Sequence, residues 1–396
     1  MEMNSAYYEK TNKALIFCIL WCIAPPMLVN GPCRFIAIIC MLYCLARNFL
    51  LTQYSGVVIF WLVYTAIIGM FIQGFQYIIA QMQLLIVVAF AYIAEDKSFE
   101  YFFENKRKIF KKIIMFVFQV FMLTTLREYI TNPRISRMLV GNGAADVVMY
   151  SYRGVGGYGM IYSLVFHNVI CLYILIHRQK HKKLIIVNYI FSLFTVLNAG
   201  YSIALISLVV GSSIVIIFGR EEDTNGRGLG AKFLLILIAF IFFLIFKDKI
   251  IESITNMVQG TMYQAKWADI LDSIESDSAK GTFADRQMLY EYSFQNFIQY
   301  PITGTWVTGG FMFGGHSLIL DMFARFGIIG GIPFLYTILH YPITQVKERR
   351  CIGLSIAILF DIIFIGLFNN WAAALAPIVY LLYPMIVEES VDDCNW

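Results

Sequence analysis

Phe233-Leu234-Leu235-Ile236-Leu237-Ile238-Ala239-Phe240-Ile241-Phe242-Phe243-Leu244-Ile245-Phe246 carries no polar side chain. A half-buried strand or a barrel strand would alternate with period two. A helix on a soluble surface would keep a polar stripe. This run does neither, and it is closed on both sides by a lysine, Lys232 and Lys247. Similar runs recur along the chain. Of its 396 residues 59% are hydrophobic and only 14% charged, against about 25% charged in soluble domains. A soluble fold has too much surface to hide that apolar content, whereas a bilayer removes the need. The expected fold class is all-α, a polytopic transmembrane helical bundle.

A membrane helix needs roughly 17–25 apolar residues, fewer inside a large bundle. The hydropathy reads as about twelve spans, at 14–29, 35–46, 54–72, 77–94, 113–130, 158–176, 184–198, 202–219, 233–246, 317–339, 351–368 and 371–387. The first follows Lys10 and Lys13 as a signal peptide would. Pro25, Pro26 and Asn30 stand where a small-residue cleavage site belongs, so it reads as a retained helix. Basic residues in short loops set orientation. Lys106, Arg107, Lys108, Lys111 and Lys112 mark one cytoplasmic loop, and Arg178, Lys180, Lys182 and Lys183 another. Both termini then fall in the cytoplasm, while 131–157 and 247–315 fall outside. The chain divides into spans one to nine over 1–246, one large extracytoplasmic loop over 247–315, and spans ten to twelve with a cytoplasmic tail over 316–396.

The large loop reads as two short helices, 250–274 and 283–300. The second follows Thr282 with Asp285 three residues on, an approximate capping box. It presents Leu289, Tyr292, Asn296 and Phe297 on one side and ends at Pro301. Of the eight cysteines, Cys18, Cys22, Cys40, Cys44, Cys171 and Cys351 lie in or beside apolar runs and read as small hydrophobes. No Cys/His cluster has zinc spacing.

Ionisable groups near membrane depth are costly and mark function. The densest set lies where the large loop meets the tenth span. There His316 follows Gly314-Gly315, and Asp321 and Arg325 stand four apart on one helix face, placed to pair. Charge otherwise lies outside the membrane centre. Arg286 opens the preceding helix, where the dipole does not favour a cation. Arg153 precedes Gly154-Val155-Gly156-Gly157. Arg127, Arg134 and Arg137 add to this outer set. Arginines gathered on the side that should be poor in positive charge suit a phosphate-bearing lipid, which guanidinium clamps in bidentate fashion. The large loop also carries the aromatic residues Trp267, Tyr290, Tyr292, Trp306 and Phe311, candidates for stacking on a ligand.

Asp285-Arg286, Asn296, Pro301-Ile302-Thr303-Gly304, Gly315-His316-Ser317-Leu318-Ile319-Leu320-Asp321 and Phe326-Gly327-Ile328-Ile329-Gly330-Gly331 together resemble the O-antigen polymerase and ligase superfamily of bacterial envelope proteins. The resemblance covers 283–331, and Arg153–Tyr162 more loosely. Two features differ. No arginine accompanies Ser202, where the family often has Ser-Arg, and Ser317 follows His316 where asparagine is commoner.

The resemblance implies a metal-independent, cofactor-free glycosyl transfer on the outer face of the bacterial inner membrane. The donor would be an oligosaccharide on undecaprenyl pyrophosphate. It implies His316, Arg286 and Asp321 as catalytic residues, and Arg153, Arg286, Arg325 and Trp306 as binders of pyrophosphate and glycan. Membrane lipids, a chain-length regulator and a flippase are the implied partners, with no nucleic acid. Polymerisation of repeat units is preferred. Ligation to lipid A-core, a transporter of lipid-linked sugars and a structural scaffold are the alternatives.

Overall fold

The fold is taken from a computed structural model. The structure describes residues 5–47, 52–95, 97–132, 135, 138–139, 144–177, 182–218, 249, 252–253, 255–257, 259–260, 264 and 281–394. The expected span 233–246 and most of the expected helix 250–274 lie outside the described residues. Every described element is helical, with no strand among the described residues.

In chain order the helices are α1 (Ser5–Ile23), α2 (Pro25–Val29), α3 (Gly31–Arg47), α4 (Gln53–Gln73), α5 (Phe75–Glu95), α6 (Lys97–Thr131), α7 (Ala144–Tyr152), α8 (Tyr158–His177), α9 (Lys182–Ala199), α10 (Ser202–Phe218), α11 (Gly281–Gln299), α12 (Leu318–Lys347), α13 (Ile352–Phe368) and α14 (Tyr383–Cys394). Among the described residues five helices are long and apolar enough to cross a membrane: α4, α5, the Ile109–Thr131 part of α6, α8 and α12. Gly31–Ala46, Lys183–Ala199, Ser202–Phe218 and Ile352–Phe368 are shorter apolar helices.

Helix α8 is the centre of the bundle, 83% buried over its apolar window, and packs against α9, α10 and α13. Without a hydrophobic drive between lipid-embedded helices, polar clamps and small residues hold such contacts. Asn168 of α8 donates to Ser192 of α9 at 2.7 Å. Ser207 of α10 donates to Asp361 of α13 at 2.5 Å.

The structure redraws three expected spans. The 14–29 run is broken, because Pro25 forces Ala24 into extended backbone (φ −87°, ψ 109°). The 371–387 run is no continuous helix. It passes through a 3-10 turn at Ala373–Leu375 and a π turn at Ile378–Leu382 before α14. Irregular backbone at membrane depth is tolerated where protein covers it, and residues 371–387 are buried throughout.

The third change concerns α12. It is longer than the expected 317–339 and breaks at Gly327 (φ 59°, ψ −160°). Its amides freed by the break are taken by the preceding loop: Ile328 N–H donates to Pro301 O at 2.8 Å and Ile329 N–H to Ile302 O at 3.2 Å. A Cβ on Gly327 would sit 2.3 Å from Ile302 O, and one on Gly304 (φ 84°) 2.4 Å from Arg325 C. The Pro-Ile-Thr-Gly and Gly-Ile-Ile-Gly-Gly stretches are thus two halves of one backbone contact. The segment after the break, 328–347, covers roughly 30 Å on its own at 1.5 Å per residue. Further along, Pro342 leaves Ile338 O without its helical donor, and Tyr380 Oη supplies one at 2.9 Å.

The two ends of the bundle differ. At one end Lys111 of α6 pairs with Glu389 of α14 at 2.8 Å, and Tyr383 of α14 bonds Ser355 near the start of α13, beside Arg350. At the other end of α6, Thr125 Oγ1 accepts from Gly156 N–H at 2.8 Å, just before α8 begins. Helices α8 and α13 meet at that second end through Asn369 and Tyr162. The basic segments around Lys111 and Arg350 therefore share one end, and the loop before α12 lies at the other.

Candidate functional site

The site is assembled where α11, the loop 314–317, the start of α12 and the 369–370 turn converge. Three of the residues singled out in the sequence meet here: Arg286, His316 and Asp321. Arg286 is half-buried on α11. It lies close enough to act electrostatically on His316, Tyr290 and Tyr162.

Helix α11 turns Arg286, Leu289, Tyr290, Ser293, Asn296 and Phe297 toward the bundle. Ser293 and Asn296 are buried there, whereas Tyr292 is 45% exposed. The expected face containing Tyr292 is therefore rotated. The correction brings in Ser293, which carries no charge to flag it but stands two turns after Arg286. Ser293 Oγ donates to Asp321 Oδ1 at 2.6 Å and accepts from Gly314 N–H at 2.7 Å. Gly314 cannot carry a side chain, since a Cβ would meet Leu289 O at 2.2 Å.

Asp321 does not pair with Arg325, and no ion pair joins them among the described residues. Helical side chains lean toward the N-terminus. Asp321 thus turns back to its own helix start, accepting from Ser317 N–H at 3.4 Å, where the dipole favours an anion. Ser317 caps that start by accepting from Leu320 N–H at 3.2 Å.

Arg325 is only 5% exposed. Its guanidinium lies over the rings of Phe313 (4.6 Å), Phe311 (4.8 Å), Phe326 (5.5 Å) and Tyr77 (5.6 Å). Such a cage stabilises a cation through the ring quadrupoles and sits at the C-terminal end of the half-helix 318–326, where a cation is favoured. It keeps Arg325 from meeting a ligand at the His316 cluster directly.

His316 is exposed. Partial burial lowers its pKa below the usual 6.5, Arg286 lowers it further, and Asp321 pulls the other way. The imidazole is therefore neutral at physiological pH, with a free lone pair. Burial raises the pKa of the Tyr290 hydroxyl, and Arg286 opposes that rise. Tyr290 Oη donates to Phe368 O at 2.9 Å. Two further residues escaped the sequence reading. Asn370 Nδ2 donates to Gly315 O at 2.6 Å, fixing the turn before His316, and Asn369 Nδ2 donates to Tyr162 Oη at 2.6 Å.

Arg153 is exposed and lies 5.6 Å from the Tyr150 ring at the end of α7, and the structure does not bring it into contact with Arg286 or His316. Trp306 lies in a 3-10 turn, Thr305–Thr308, half-buried against the core, with its indole nitrogen buried, rather than offering an open face for a sugar. Arg127 is exposed, and Arg134, Arg137 and Trp267 lie outside the described residues. Among the described residues no group of His, Cys, Asp and Glu side chains is placed to hold a metal ion.

No family model matches the chain, and no curated protein matches it.

One further ionisable residue corrects the sequence reading. Asp361 sits in the middle of α13, fully buried, with Oδ1 on Ser207 and Oδ2 without a partner. Ionisable groups are therefore not confined to the outer loop.

Proposed function

We propose that the protein is a polysaccharide polymerase of the bacterial inner membrane, joining oligosaccharide repeat units carried on undecaprenyl pyrophosphate. The observation that carries this reading is that Arg286 lies within electrostatic reach of the His316 imidazole, at the end of the bundle opposite the basic segments. The positive-inside rule puts those segments in the cytoplasm, so the pair faces the outer side, where lipid-linked repeat units are presented.

Transfer breaks the bond between the anomeric carbon and the pyrophosphate oxygen and forms one to an acceptor hydroxyl oxygen. Arg286 neutralises the departing pyrophosphate. His316, neutral and exposed, takes the proton from the acceptor hydroxyl. Asp321, held by Ser293 and Ser317, is a positioning residue that acts on His316 through its charge. Arg153 stands at a separate place on the same end, and Arg325 supports the loop rather than the leaving group. The resemblance of 283–331 to the O-antigen polymerase and ligase superfamily supports the same chemistry, and ligation to lipid A-core differs only in the acceptor.

Complementation of a deletion strain tests this. Wild type restores long glycan chains, while Arg286→Ala and His316→Ala leave core bearing a single repeat unit. Bare core with stranded carrier-linked glycan would point to ligation instead. A transporter is favoured by two observations, the break at Gly327 and the buried Asp361, which are features of helices that move substrates. It predicts movement of lipid-linked sugar without elongation.

A further inference from the structure

A cavity of 610 Å³ opens away from the His316 cluster, where α3 meets the α4–α5 turn. Its polar lining is Arg34 of α3, Gln73 of α4, and Gln76 and Gln83 of α5, with Ile79 and Ala80 between them. Gln76, Ile79, Ala80 and Gln83 are spaced three and four apart, so they form one face of α5. Gln83 lies about 12 Å along the helix from Phe75, at 1.5 Å per residue.

That face is open rather than packed: Gln73, Gln76, Ile79 and Ala80 are all exposed. On the same three helices Phe71 (81%), Ile39 (66%), Phe75 (64%) and Phe35 (55%) are also exposed. Side chains of this kind on membrane-length helices meet acyl chains. Amides set among them find no water to satisfy them in hydrocarbon.

Arg34 supplies the charge: it is half-buried and lines the cavity. Among the described residues no carboxylate lines the cavity. A half-buried guanidinium lining a groove that holds no carboxylate suits an anion. The groove lies at the same end of the bundle as His316, because Tyr77, next to Gln76, packs against Arg325.

We infer that this groove binds the phosphate headgroup of a membrane lipid. Arg34 holds the phosphate, Gln73 and Gln76 donate to its remaining oxygens, and the hydrocarbon chain runs along α5 past Ile79 between the exposed aromatic residues. The apolar flanks select a lipid over a soluble phosphate. The chemistry is shared by a polyprenyl phosphate and a glycerophospholipid. The inference does not depend on polymerase activity, and its test reads binding alone.

Native mass spectrometry of the full chain in phosphate-free detergent, with C55 polyprenyl phosphate or phosphatidylglycerol added separately, provides that test. The expected result is retention of a phosphate lipid by wild type and by Arg34→Lys. Arg34→Ala is expected to lose about tenfold in occupancy, as for a lost charge-assisted bond, at an unchanged melting temperature. Gln76→Leu, which keeps the helix, gives a smaller loss. Preference for the polyprenyl phosphate identifies the carrier as occupant; equal retention of both lipids identifies the headgroup phosphate as the determinant. Equal lipid retention by Arg34→Ala and wild type would overturn the inference. So would a stable dimer that excludes both lipids.

Discussion

The residue proposed as the base is His316, and its environment makes a signed prediction. The proposed transfer needs the neutral imidazole, so it is expected to fall as pH drops through the His316 pKa, which lies below 6.5. Arg286→Gln removes a lowering influence and moves that acid limb up. Asp321→Asn removes the raising influence and moves it down. Imidazole NMR titration reads both shifts even where turnover is slow, and limbs that do not move would detach His316 from the two charges. Arg286→Ala is expected to cost on the order of 100-fold in transfer, with Arg286→Lys partly active because it keeps charge but loses the fork. Ser293→Ala leaves a buried carboxylate oxygen short of a donor and is expected to destabilise the protein by about 1–3 kcal/mol, read as a lower melting temperature in detergent. Arg286 and His316 were legible in the sequence because a cation at a helix start and a histidine after two glycines are unusual. Ser293 and Asn370 were not, since uncharged polar residues acquire meaning only from what lies opposite them. The Asp321–Arg325 spacing misled, because a broken helix places the two residues at opposite poles of a short dipole.

At the scale of elements, the backbone contact between 301–304 and Gly327 holds the site in place. It connects the end of α11 to the middle of α12, so the two helices that carry Ser293 and Asp321 keep a fixed distance. Gly327→Ala puts a Cβ against Ile302 O in a left-handed backbone region, and is expected to cost about 1–3 kcal/mol and to lower folded yield on size-exclusion chromatography. Unchanged yield and melting temperature would show that the contact does not hold α12. Hydropathy revealed that helices exist at 54–72, 77–94, 158–176 and 202–219, because an apolar run long enough for a bilayer has few other uses. It did not reveal where they break. An averaging window is blind to a single Pro25 or Gly327, and it reads the buried stretch after Trp371 as a lipid-facing span because both are equally apolar.

For the whole molecule, the account requires that the bundle ends lie on opposite sides of the membrane. Thr308 and Lys347 are both exposed, one near each end. In a background with Cys33 replaced, an impermeant maleimide on intact cells is expected to label Thr308→Cys and spare Lys347→Cys; the reverse pattern would put the cluster in the cytosol. The charge asymmetry behind this was legible from the loops alone, and the structure adds that Lys111 and Arg350 belong to the same end. The central claim is glycosyl transfer by the Arg286–His316 pair. Purified protein in liposomes, supplied with lipid-pyrophosphate-linked repeat units, tests it by glycan length together with released carrier pyrophosphate. The account predicts chains that lengthen with one carrier released per unit added, and none from His316→Ala. Elongation by His316→Ala and Arg286→Ala at the wild-type rate, or no lengthening by wild type, would contradict it.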